Sequence, residues 1–191
     1  MPSQYYIVNC EDPEVGYLAR LSYTPDDPRR SWILGERFST APPQPVRATV
    51  RGLDDDDTVM AELWKSPVPV MSLRLLEVLR DAGVSNLDVY PAALTDPSSG
   101  KVYDDFVAFN LIGKISAVDL GRSKLAPGPV DQRISMSIDQ LALDEARIQG
   151  ALMFRLAEAV STLVMHASIK HRIEAAGIDT LTFYEPADWA T

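Results

Sequence analysis

The chain has 191 residues and a formal charge of −9, from 27 acidic and 18 basic side chains. That balance excludes a nucleic-acid binder, which needs a basic stripe, and a protein that docks on anionic lipid. An acidic surface suits solubility or a basic partner such as a nuclease domain, and 46% apolar residues are enough for one ordinary domain over 1–191 with a sizeable core.

The start, MPSQYYIVNCED, lacks a basic segment followed by a long apolar stretch, so no signal peptide is expected. No apolar run approaches the ~20 residues that cross a bilayer. Cys10 is the single cysteine, so no intrachain disulfide can form, and it reads as a small buried hydrophobe. The expectation is a reduced, soluble, cytoplasmic protein.

Tyr5 to Cys10 reads as a first strand, and residues 11–31, rich in Asp, Pro and Arg, as loop. A short strand or turn is expected at Trp32 to Leu34. The three prolines of Ala41 to Pro45 mark an extended linker. Val46 to Val50 alternates as a strand and leads into the loop GLDDDD, Gly52 to Asp57. Val59 to Trp64 is compatible with a helix start or a short strand and stays open.

Ser72 to Ala82 reads as a helix, with Ser72 as N-cap, Leu75, Leu76, Leu79 and Ala82 on one face, and Gly83 as the stop. Leu87 to Leu94 reads as a strand in which Pro91 marks an edge or bend. The turn Asp96 to Gly100 makes it a hairpin with the next segment. That segment, Asp105 to Leu120, reads as the central strand. Val107, Phe109, Leu111, Ile115 and Ala117 share one face, and the mixed opposite face is expected to be covered over part of its length. Gly113 within it marks a bulge or close backbone approach.

Ala126 to Pro129 is a second break. Ile134 to Leu143 and Ala151 to Leu156 read as strands, and Ala157 to Met165 as strand or turn plus strand. Ser168 to Ala176 reads as a second helix ended by Gly177, followed by a strand at Thr180 to Tyr184. The fold class is therefore α+β, with a mixed, largely antiparallel sheet and two main amphipathic helices. AGVSNLDVYP at Ala82 to Pro91 is echoed by AGIDTLTFYEP at Ala176 to Pro186. Convergence on a good helix-to-strand connection accounts for the echo; a duplicated ancestor is the other reading.

Chemistry is hard to find in this sequence. His166 and His171, the two histidines, lie five apart, which sets them about 140° apart on a helix and prevents a shared metal on one face. They read as surface or helix-end residues. G-x-S-x-G, G-x-G-x-x-G and G-x-x-x-x-G-K-[ST] are absent. The run Asp54, Asp55, Asp56, Asp57 lacks the spaced ligands of an EF-hand and reads as a solvated loop or a partner-binding patch. Trp32, Trp64 and Trp189 fall near loops or element ends. Core packing suits most of them, and Trp32 and Trp64 are the first candidates for an exposed partner anchor.

Several stretches together carry a resemblance: YYIV at the start, Pro69 to Leu79, Ala82 to Leu94, Tyr103 to Ser123, Leu152 to Val160, and the helix-Gly-strand ending at Phe183. In their order and spacing they resemble the immunity proteins of bacterial polymorphic toxin systems, in the family that includes myxobacterial swarming-inhibition immunity proteins. The resemblance spans nearly the whole chain. It implies a small cytoplasmic α+β protein without enzymatic activity, cofactor or metal, which protects the producing cell by binding a cognate toxin domain. It brings no catalytic residues. The segments from Glu11 to Asp57 are the least family-like and are where specificity for one toxin would sit. The other readings are an interaction or regulatory module for a different partner, and an enzyme with an unrecognised acid/base pair. The sequence does not define an oligomeric state.

Overall fold

The structure is a computed structural model, and it describes residues 4–125 and 138–190. In chain order the first half holds β1 (Tyr5–Asn9), β2 (Tyr17–Leu18), β3 (Arg20–Ser22), β4 (Val46–Arg51), β5 (Thr58–Val59), β6 (Leu63–Trp64) and β7 (Val70–Ser72). Helix α1 (Leu73–Asp81) and strand β8 (Leu87–Thr95) follow. The second half holds β9 (Val102–Leu111), β10 (Lys114–Ile115), β11 (Lys124–Leu125), β12 (Ile138–Gln140) and the single-turn helix α2 (Glu145–Ile148). It ends with β13 (Met153–Leu156), β14 (Leu163–His166), α3 (Ala167–Ala175) and β15 (Thr182–Tyr184). The break at Ala126 to Pro129 and the first residues of the strand expected at Ile134 to Leu143 lie outside the described residues.

The strands form a six-stranded sheet, β3-β4-β8-β9-β7-β6, and a five-stranded sheet, β10-β13-β14-β1-β15. Pairing is antiparallel except at β4/β8, β10/β13 and β2/β5, so the α+β class with mixed, largely antiparallel sheets holds. One core joins both sheets to both long helices: Leu75, Leu79, Ile169 and Ile173 meet Met71, Phe109, Val8 and Leu163. The outer face of the six-stranded sheet is covered by residues from Ala19 through Phe38, and that of the five-stranded sheet by Ala117, Val118, Ile138, Leu141, Leu143 and Ile148.

The central segment differs from the sequence expectation in where its strand ends. Strand β9 ends at Leu111, and the chain crosses at Gly113 (φ +93°) to β10 in the other sheet. Gly113 N–H donates to Gly35 O at 2.8 Å, the close backbone approach that glycine permits. The mixed face is covered over part of the segment, as expected: Phe106, Ala108 and Asn110 are buried, while Lys114 and Ser116 are exposed. The loop carrying Trp32 and Phe38 closes the second face, and Asn110 Nδ2 donates to Glu36 O at 2.7 Å beneath it. Pro91 sits where β8 gains a second neighbour: β4 pairs only from Ala92 onward, so the missing N–H faces an unpaired side.

The echo extends far beyond the helix ends. Both long helices finish in the same Schellman arrangement. Val84 N–H donates to Leu79 O at 2.9 Å and Gly83 N–H to Arg80 O at 2.9 Å; Ile178 and Gly177 repeat this onto Ile173 O and Glu174 O. Each helix follows a hairpin strand, β7 after β6 and β14 after β13. In each sheet a further strand lies between that hairpin and the strand after the helix. It is β9 in the first and β1 in the second, with matching register. Val70 faces Ala108 and Tyr90 faces Ala108; Val164 faces Ile7 and Tyr184 faces Ile7. The chain is therefore one unit built twice, and each copy's leading strand, β1 or β9, is inserted into the other copy's sheet. Shared cap chemistry alone does not produce this register.

Candidate partner-binding surface

Asp54 to Asp57 form a built turn. Gly52 (φ +96°) turns the chain out of β4, Asp55 N–H donates to Gly52 O at 3.1 Å, and Thr58 N–H to Asp55 O at 3.0 Å. The Asp55 carboxylate accepts from Asp57 N–H at 3.1 Å. All four aspartates are exposed, and among the described residues none is in an ion pair. The ribbon β2/β5 lies beside them, closed by Tyr17 N–H to Asp57 O at 3.0 Å and Ala19 N–H to Val59 O at 2.8 Å. Gly16 (φ +93°) is required there, because a Cβ would lie 2.2 Å from Asp57 O.

The four aspartates line one open groove with Tyr17, Leu18, Arg20 and Arg51. Tyr17 is 58% exposed. Arg20 and Arg51 face each other directly across β3 and β4, and neither has an ion-pair partner among the described residues. Sequence reasoning missed Tyr17 and Arg20, because strands of two and three residues leave no periodicity to read, and Arg51, because the cross-strand partner that pairs it with Arg20 lies in one of those short strands.

Trp32 and Trp64 are not exposed anchors. Trp32 is buried, edge-on to Phe38 and Tyr90 with ring centroids 4.9 and 5.8 Å away. Trp64 is buried against Phe106, and its indole N–H donates to Ala19 O at 2.8 Å. Trp64 thus supports the ribbon that carries Tyr17 from beneath. A loop assignment alone cannot tell a tryptophan lying on the surface from one that seals a sheet face.

Next to the groove, and sharing Leu18 and Arg20 with it, a cleft is lined by Cys10, Trp64 and Lys65. The Cys10 thiol donates to Thr180 O at 3.3 Å, and burial pushes its pKa up to about 11, so it stays a protonated small hydrophobe at neutral pH. Lys65 Nζ donates to Val8 O at 3.0 Å, and burial first, then the charge of Arg155, lowers its pKa to about 8. Arg155 is 1% exposed and donates from Nη1 to Val160 O at 3.1 Å, while its Nε finds no partner. Burial lowers it to about 10, and no carboxylate among the described residues pairs with it. Lys65 and Arg155 occupy equivalent positions in the two copies, each directly after the hairpin residues Leu63-Trp64 or Met153-Phe154.

His166 caps α3: its Nδ1 accepts from Ser168 N–H at 3.2 Å, and its ring packs edge-on to Tyr5. The helix therefore starts at Ala167, and the cap is the histidine before Ser168. His171 is exposed on α3. Among the described residues no group of three or more His, Cys, Asp or Glu is placed to hold a metal ion, and no helix is long and apolar enough to cross a membrane. No family model matches the chain, and no curated protein does.

Proposed function

We propose that this chain is a non-enzymatic immunity protein that binds a cognate bacterial toxin domain in the cytoplasm of the producing cell and neutralises it stoichiometrically. Two independent lines support the reading. One is the resemblance carried by segments from Tyr5 to Phe183. The other, which carries most weight in the structure, is the exposed and unpaired Asp54 to Asp57 turn beside the exposed Tyr17. Uncompensated surface acid next to an aromatic side chain is the composition of a face that meets a basic protein. The binding would occlude the toxin's active site or hold the toxin in an inactive state.

The test is titration. The protein is co-expressed with the toxin domain encoded beside it, and growth is followed; the purified pair is then mixed at increasing ratio. Toxin activity is expected to fall linearly and vanish near one equivalent. Full protection at a small fraction of an equivalent would mean turnover and overturn the non-enzymatic reading. Absence of both a complex and protection would overturn the toxin reading.

A further inference from the structure

The grooves of this protein differ in how their charges are satisfied. In the groove lined by Asp27, Arg29, Arg30 and Arg37, every arginine is already paired: Arg29 with Asp27, Arg30 with Asp26, and Arg37 with Asp88. That site is neutralised from within and asks for nothing. The groove at Tyr17 is the opposite. Arg20 and Arg51 stand opposite each other as like charges, an arrangement that destabilises a strand pair unless something lies between them. The four aspartates beside them are likewise unpaired among the described residues, although the two arginines line the same groove.

We propose that this groove is the docking face for the toxin, that the toxin surface it takes is basic with one acidic side chain near its centre, and that Tyr17 is the anchor. The proposal rests on the toxin-binding reading above and adds the place and the chemistry of the partner. The toxin's carboxylate lies between Arg20 and Arg51, whose guanidinium forks suit bidentate pairing. Its lysines or arginines meet Asp54 to Asp57. The Tyr17 ring, 58% exposed in the same groove, is covered on binding and supplies the apolar contact. The four carboxylates against two guanidinium groups leave the groove net acidic, which selects a basic partner over an acidic one.

The parts have separable kinetic roles. Exposed aspartates act through a long-range field that salt screens, so they govern encounter. Tyr17, Arg20 and Arg51 are desolvated in the complex, so they govern dissociation. Association and dissociation rates are measured against the inactivated toxin domain at two ionic strengths. The proteins compared are wild type, Tyr17→Ala, Arg20→Ala/Arg51→Ala, the Asp54 to Asp57 quadruple Asn variant, and Arg29→Ala as a control in the satisfied groove. The expected results are dissociation faster by about tenfold or more for Tyr17→Ala and for the double arginine variant. The quadruple variant should associate about tenfold more slowly at low salt with little change in dissociation. Arg29→Ala should match wild type. These side chains are exposed at the surface, so melting temperatures no lower than that of wild type are expected to accompany the kinetics, with a rise for the double arginine variant. If wild type binds and all groove variants keep both rates within about twofold, the groove is wrong and the toxin reading stands. If wild type neither binds nor protects, both fall together.

Discussion

Replacing Arg155 with Met should leave the protein as stable as before or more so, although the arginine is 1% exposed and sits in a core strand. Among the described residues the guanidinium keeps one hydrogen bond, to Val160 O at 3.1 Å, has an unpartnered Nε, and pairs with no carboxylate. Burial lowers its pKa from the usual guanidinium range to about 10. At about 1.4 kcal/mol per tenfold change in proton affinity, that gap is a cost of roughly 3 kcal/mol for holding the charge inside. The folded pKa lies below the unfolded one. The cost is therefore fully present at neutral pH, where both states are charged, and is relieved only as pH rises through about 10. Methionine removes this cost and keeps an unbranched apolar stem of similar reach. Against it, the Val160 carbonyl loses its donor, worth about 1–3 kcal/mol if left buried and dry. The net is about 0–2 kcal/mol of stabilisation, in line with replacements of other buried charges by apolar groups. Urea unfolding at pH 7 measures it, with an unchanged slope showing that the same surface is exposed. A loss of more than about 2 kcal/mol would refute the reasoning and mean that the guanidinium is well satisfied in the folded protein.

Lys65 titrates in the folded protein near pH 8, below its ordinary 10.5, so the unfolded chain binds more protons between these values and stability should rise with pH across that window. The rise is about 1–3 kcal/mol because the amine is only partly buried, and Lys65→Met should remove it and stabilise the protein at pH 7; urea midpoints of the two proteins at pH 7, 8, 9 and 10 check this. Loss of the α3 cap in His166→Ala should cost about 1 kcal/mol, and His166→Asp should restore most of it; thermal melts of the pair would contradict the capping role if Asp behaved as Ala does. Cutting the chain in the Asp96 to Gly100 turn separates β1 from the sheet it completes and β9 from its own. Fragments 1–98 and 99–191 should each be unfolded alone and recover a cooperative melt when mixed, and a cooperative melt from either fragment by itself would show that the strand exchange is dispensable.

Elements with local signals were readable in the sequence. Ser72 and Gly83 bracket α1 because a hydroxyl cap and a left-handed glycine are chemical stops, independent of the rest of the fold. The β8/β9 hairpin was legible from the Asp96 turn, whose carboxylate accepts from Ser98 N–H and Ser99 Oγ. What failed was long-range. Alternation resumes with the same parity after Gly113, which was read as a bulge or close approach, so one strand was read where the chain changes sheets; period two reports which side is buried, and both sheets bury a side. Strands β2, β3, β5 and β6 are too short for any period, and Tyr17 and Arg20 went unnoticed with them. Trp32 and Trp64 stayed open between core packing and a partner anchor because nothing local announces that the loop from residue 19 to 38 folds back over a sheet.

The internal repeat narrows where function resides. Features that the two copies share are those the scaffold needs. They include the Schellman ends at Gly83 and Gly177, the register of the inserted strands, and the core positions Leu75 and Leu79 with their counterparts Ile169 and Ile173. Features belonging to one copy only have no such duty. The ribbon of Tyr17 and the Asp54 to Asp57 turn lie between β1 and β6, in the segment that covers the first sheet. Strand exchange ties this segment to both halves. It leaves the second sheet through β1, covers the first, and ends in the first through β6, while Trp64 and Gly16 fix the ribbon against its neighbours. A binding face mounted this way loses little conformational freedom when a partner arrives, which favours affinity without a larger interface. The same mounting lets the groove diverge in sequence at small cost to the fold. Its charged side chains are exposed, whereas the shared positions carry the core.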